Sequence, residues 1–237
     1  MTMPEDEGKR ARQRPTLLIA VAAAVLVLAG GVAIGVGVAR SGTTASAGDT
    51  VPTVTSVGQI AGVRTYTYAV GQTHVLGMVD YPESPPVGGR HDPEWADCSG
   101  TVYAAPIRNE NAVHSLEHGA VWFTYDPRRI SSADLATLGH LVRGVYGRML
   151  SPYPGLAAPI SLQSWNHQLF LRSAGDVRVT QFADFLTRNP DFTPEIGATC
   201  ENAAFVAAPL RPGEGSRAAA VLGSIQNAQP AMQRSVG

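Results

Sequence analysis

The stretch ENAVHSLEHGAVWFTYDP, Glu110 to Pro127, decides how the chain folds. Its first half reads as a short helix capped by Asn109 and stopped by Gly119. Its second half, Ala120 to Tyr125, is a continuous apolar run suited to a central, buried strand. On a helix, His114 and His118 stand at i, i+4 on one face, where two imidazoles can chelate one metal ion. Leu116 then points the opposite way and packs inward, and the helix C-terminus favours a cation near His118. If the stretch is instead a strand leading into AVWFTY, the two histidines share a face with Leu116 between them, and chelation is less natural.

Outward from this stretch, Val63 to Val70 (VRTYTYAV) and His74 to Tyr81 are short β-rich runs separated by Gly71-Gln72, which predicts a hairpin. Tyr81 to Asp92 (YPESPPVGGRHD) carries three prolines and two glycines and reads as loop. On the other side, Ser131 and Ser132 can cap a helix with apolar positions Leu135, Leu138, Val142, Val145 and Met149. His140 lies off that stripe and reads as a solvated residue. Ile160 to Trp165 and Gln168 to Arg172 read as strands, with His167 a polar turn residue between them. A second main helix, about Arg178 to Arg188, presents Val179, Phe182, Phe185 and Leu186 to the core and stops before Asn189-Pro190. The expectation is one α+β domain over residues 62–210, with short antiparallel strands and two main helices. Residues 211–237, rich in Ala, Gly, Gln and Arg, are expected to be a disordered tail.

The 237 residues are 44% hydrophobic and 16% charged with a net charge of -1, which excludes a disordered chain and a small disulfide scaffold. The absence of a basic excess argues against nucleic acid as a partner. Much of the apolar content sits in Leu17 to Val38, which has no charged residue. As a helix this run is roughly 33 Å long, enough to cross a hydrocarbon core of about 30 Å. Lys9, Arg10, Arg12 and Arg14 precede it, so the positive-inside rule puts residues 1–15 in the cytoplasm, a single transmembrane helix at 16–39, and the remainder outside. The lipid bilayer is then one partner of the chain. Residues 40–61 read as a flexible linker. Cleavage after Ala47 is the rival, although signal peptides carry a shorter apolar core of about 7 to 15 residues.

Cys98 and Cys200 are the only cysteines. Outside the cytoplasm they are expected to pair, with a role as thiolate metal ligands as the alternative.

Several strings occur in order: HVLGMVDYPESPPVGGRHDPEW, ENAVHSLEHGAVWFTYDP, LSPYPGLAAPI, SW and PEIGATC. Over about Tyr66 to Cys200 the chain thereby resembles the bacterial domain-of-unknown-function family numbered 3105, common in actinobacteria. The resemblance implies a membrane-anchored extracytoplasmic domain. On its pattern His74, His91, Trp95, Cys98, Glu110, His114, Glu117, His118, Trp165, Glu195 and Cys200 fall on motif positions. The chain departs from the pattern at Cys98-Ser99-Gly100, where Cys-Gly is usual, and at Trp165-Asn166, where Gly follows the Trp.

Three readings of the chemistry follow. In the first, His91, His114, His118 and His74 bind copper or zinc, with Glu117 and Glu110 supporting the ligands. Met78 is a candidate soft ligand for copper(I). Binding through neutral imidazole is then expected to weaken as pH falls through about 6.5. In the second, the histidines brace the fold of a non-catalytic cell-envelope interaction module. In the third, His114-Ser-Leu-Glu-His118 is the H-x-x-E-H motif of a zinc hydrolase, with Glu195 as a downstream ligand. Its short helix argues against that reading, so an enzyme is the less favoured outcome.

Overall fold

The structure, a computed structural model, describes residues 50–69 and 73–228. The expected cytoplasmic tail and transmembrane helix (residues 1–39), most of the linker and the Ala47 cleavage site lie outside the described residues. Among the described residues no helix is long and apolar enough to cross a membrane.

Strand β3 (Val121–Tyr125) is the axis of the fold. Because side chains alternate along a strand, Val121 and Phe123 face one side and Trp122 the other; none of the three has any exposure. Parallel to β3 runs β4 (Arg148–Pro152), and antiparallel to it β5 (Ile160–Ser164). β6 (His167–Leu171) returns antiparallel beside β5, β1 (Arg64–Thr65) closes one edge, and β2 (Ser99–Val102) closes the other, parallel to β4. The domain is therefore α+β with a six-stranded mixed sheet in the order β1-β6-β5-β3-β4-β2. This corrects the expectation of antiparallel strands alone. Parallel neighbours need a crossover, and α1 (Asn109–Glu117) between β2 and β3 and α2 (Ser132–Val142) between β3 and β4 supply it.

The sheet divides two cores. On one face Val121, Phe123, Leu150, Ile160 and Leu162 meet Leu138 and Val142 of α2 and Val179, Phe182 and Leu186 of α3 (Val177–Leu186). On the other, Trp122 and Met149 meet Ala112, Val113 and Leu116 of α1. Cys98 and Cys200 belong to this second core and form a disulfide.

Several local expectations are corrected. Among the described residues the two runs of the expected hairpin over 63–81 do not pair: the strand stops at Thr65, and the backbone N–H groups of Tyr66 and Tyr68 bond instead to Asn166, in the turn between β5 and β6. Asn166 itself has φ +63, which Asn tolerates where most residues do not. The helix of Leu135 and Leu138 ends at Val142, because Gly144 to Gly147 turn the chain and deliver Met149 to β4. Ile60, assigned to the linker, is 2% exposed in the first core. His167, expected as a polar turn residue, is instead the first residue of β6, 3% exposed and packed edge-on to Phe192. Within the expected disordered tail, Arg217–Ala228 forms a helix, and Arg217 bonds to Glu94 and to the carbonyl of Ala208.

One close approach fixes the β2 edge. A Cβ on Gly100 would stand 2.3 Å from the backbone N of Gly144, and its φ is +97. Gly100→Ala is expected to lower the unfolding free energy by more than about 1 kcal/mol, since neither the conformation nor the space admits a side chain. Urea denaturation measures it; an unchanged midpoint would contradict the packing.

Candidate metal centre

Helix α1 is buried along nearly its whole length, which is unusual for nine residues carrying Glu110, His114 and Glu117. The apolar side faces Trp122 and Met149. The polar side faces the loop that ends in His91 and Asp92, so these side chains must find partners within the protein. The observed helix starts at Asn109 with Arg108 at the N-cap, one residue earlier than the sequence suggests, and His118 is its C-cap.

Four histidines carry the same tether, His167 on the Trp165 carbonyl at 2.8 Å and three others that lie close together. His91 Nδ1 lies 2.8 Å from the Gly89 carbonyl, His114 Nδ1 2.7 Å from that of Asp92, and His118 Nδ1 2.8 Å from that of Thr199. A carbonyl only accepts, so each Nδ1 carries the proton and donates. In the neutral ring Nε2 is then the nitrogen with a lone pair, the usual arrangement for a metal-binding imidazole. Gly89, at φ +100 and packed under the Tyr68 ring, lets the loop present its carbonyl to His91. His74 joins through the backbone: it bridges to His91, and Val75 N–H bonds to the His91 carbonyl at 2.7 Å.

The rings gather closely. Centroid separations are 5.0 Å for His74 and His91, 4.8 Å for His74 and His114, 4.8 Å for His91 and His114, and 4.5 Å for His114 and His118. His91 Nε2 is 2.8 Å from Glu117 Oε2, both residues being essentially unexposed. A lone pair does not face a carboxylate oxygen at that distance without a cation between them, whether proton or metal.

The donors fall into two groups. One atom each from His74, His91, His114 and Glu117 lie within 4.8 Å of one another, and so do one each from His114, His118 and Glu195. Ligands at about 2.0–2.1 Å from a tetrahedral ion stand roughly 3.4 Å apart, so either group needs only a modest contraction to close on an ion. The expected set of His74, His91, His114 and His118 is thus distributed over two groups that share His114. Met78 is 74% exposed. Glu110 belongs to neither group. It accepts from Val79 N at 2.8 Å and lies 3.2 Å from Arg108 Nε.

Arg108 is the residue the sequence reading missed. Buried to 1% exposure, it pairs with Asp92 at 2.6 Å and donates to the Gly77 carbonyl at 2.9 Å, pinning the loop of His74 and His91 onto α1. Two carboxylates against one guanidinium leave a net negative charge beside the imidazoles, which favours a cation there. Nothing in its sequence setting distinguished it from a surface arginine.

Burial is the main reason that His114 has its pKa pushed down to about 3, followed by the neighbouring His118 and His91, with the Asp92 carbonyl opposing. His118 is also lowered, again chiefly by burial, against the Thr199 carbonyl and Glu195. Burial lowers His167 as well. Below about pH 6.5 an unfolded chain takes up protons on these residues while the folded one does not. Stability of the metal-free protein is therefore expected to fall as pH drops from about 6.5 toward 4, before carboxylates titrate. Urea melts at pH 7 and pH 5 test this; equal midpoints would contradict it. For His114, proton competition with a metal is correspondingly moved well below the ordinary imidazole range.

A family model described as Protein of unknown function (DUF3105) matches residues 74–202, which contain every residue of both donor groups. No curated protein and no solved structure matches the chain.

Proposed function

The chain belongs to the family described as Protein of unknown function (DUF3105), and we propose that it is a membrane-anchored domain, facing outward, that binds a zinc or copper(II) ion through its histidine cluster. The observation that carries this reading is the spacing of donors: one nitrogen each of His74, His91 and His114 lies within 4.8 Å of a Glu117 oxygen and of one another, as do nitrogens of His114 and His118 with an oxygen of Glu195. A set of imidazoles with one carboxylate suits these two metals. The anchor rests on the apolar run Leu17 to Val38 behind four basic residues, and the Cys98–Cys200 disulfide fits an oxidising compartment.

Bracing alone accounts for the tethers, yet it does not explain why ring nitrogens and carboxylates assemble at ligand spacing. The hydrolase reading finds its three donors in His114, His118 and Glu195. Its base does not fit: Glu117 lies against His91 Nε2. The geometry therefore favours binding over hydrolysis. Isothermal titration of the purified chain with zinc and copper(II) at pH 7.5 is expected to show one tight ion per chain. No binding of either ion would overturn the reading in favour of the bracing module.

A further inference from the structure

α1 offers imidazoles four residues apart to two different loops, and the two donor groups meet at one ring. On one side His74, His91 and Glu117 approach His114; on the other, His118 and Glu195 do. His114 has a single nitrogen to give, because its Nδ1 proton is committed to the Asp92 carbonyl. The two groups therefore cannot each hold an ion with His114 as ligand at the same time. Each group has one exposed member, His74 in the inner and Glu195 in the outer, so it is in their carboxylates that the two differ in access. The Glu195 side chain is 47% exposed, whereas that of Glu117 is 1% exposed. Both sides of the outer group are fixed by backbone: His118 by the Thr199 carbonyl, and Glu195 by its own N–H on the Glu117 carbonyl at 3.0 Å. A positive end also anchors the loop, since Arg188 donates to the carbonyls of His118 and Ala198 at 3.1 and 3.0 Å.

Resting on the metal-binding reading, we propose that His114, His118 and Glu195 form a loading position for a divalent metal ion, from which the ion passes to His91, Glu117 and His74 without leaving His114. Glu195 is the carboxylate a hydrated ion meets at the surface, and it exchanges for water ligands there. In the transfer, the His118 and Glu195 bonds break as bonds to His91 and Glu117 form. One imidazole and one carboxylate replace one imidazole and one carboxylate, so the ligand charge is conserved. A proton held between His91 and Glu117 is released to solvent. His74, exposed on its loop, then completes the inner set.

Cobalt(II), whose visible bands report its ligands, is the probe. With the purified full-length chain, one cobalt per chain is expected. Glu195→Gln and His118→Ala are expected to slow uptake by about tenfold, the scale of a lost steering charge at an entrance, and to slow release to a chelator equally, leaving affinity nearly unchanged. His91→Ala is expected to leave a weaker cobalt site that His118→Ala then abolishes. Two cobalt ions per chain, unchanged uptake in Glu195→Gln, or a large affinity loss in His118→Ala would each overturn the loading position while leaving metal binding intact. Failure of the wild-type chain to bind cobalt, zinc or copper(II) would instead overturn the metal reading itself. Because Glu195 is half exposed, its variant is a test that does not depend on the folding of the others.

Discussion

His91→Ala is expected to weaken zinc or copper(II) binding at pH 7.5 by at least about 100-fold, because even residues that only support a ligand are worth 10- to 100-fold in metal affinity. The ring has no exposure, its Nδ1 proton is held by the Gly89 carbonyl, and its Nε2 sits against Glu117. Removing it strips the inner group of the imidazole that meets the carboxylate. It also leaves Glu117 buried without that ring, so the near-ultraviolet circular dichroism of the variant must be shown to match wild type. His140→Ala is the control: His140 lies on the exposed face of α2, and its loss is expected to leave affinity unchanged. Competition against a chromophoric chelator gives both numbers. Equal affinities in wild type and a folded His91→Ala chain would remove His91 from the site.

Replacing Cys98 and Cys200 together by Ala is expected to lower stability by about 4 to 5 kcal/mol in the chain-entropy model of a loop this long. The bridge spans 102 residues and neither cysteine has any exposure. In a domain of this size such a loss corresponds to roughly 10 to 20 °C in melting temperature. The bridge does more than close a loop. Cys98 N–H bonds to the Cys200 carbonyl at 2.9 Å, and the adjacent Thr199 carbonyl holds His118. Reduction is therefore expected to loosen the outer donor group before the sheet melts. A thermal scan of oxidised and reduced protein, followed by tryptophan fluorescence, measures the shift; coincident transitions would contradict it. Thiolate ligation, the alternative reading of these cysteines, does not describe two sulfurs already bonded to each other.

The sequence made α1, β3, β5, β6 and α3 legible because their apolar spacing is local. HSLEHG announced two imidazoles on one helix face, and Gly119 marked the stop. What stayed hidden was long-range. The parallel pairing of β2 and β3 with β4 depends on crossovers that no periodicity encodes. VRTYTYAV alternates like a strand, yet its backbone is satisfied by the Asn166 turn about a hundred residues away. Met149 fitted the helical stripe of Leu135 and Leu138 only if Gly144 and Gly147 were ignored. At the site, the histidines were individually visible, but their division between two loops was not. That division follows from where Asp92 and Thr199 place their carbonyls, and no side chain advertises it. Arg108 was invisible for a related reason: a lone arginine acquires its role from Asp92 and the Gly77 carbonyl, which are distant in sequence.

The carbonyl tethers also bear on how such a domain can drift in sequence. A ligand histidine oriented by an aspartate or a glutamine loses its orientation when that side chain mutates. Here the orienting atoms belong to Gly89, Asp92 and Thr199 as main chain, and no substitution deletes a peptide carbonyl. Thr199 can exchange for another residue of compatible backbone and still hold His118, so mutational tolerance at that position and strict demand at the imidazole it steers are compatible. Ring orientation is inherited through the path of the chain, and it changes only when a loop changes length or course.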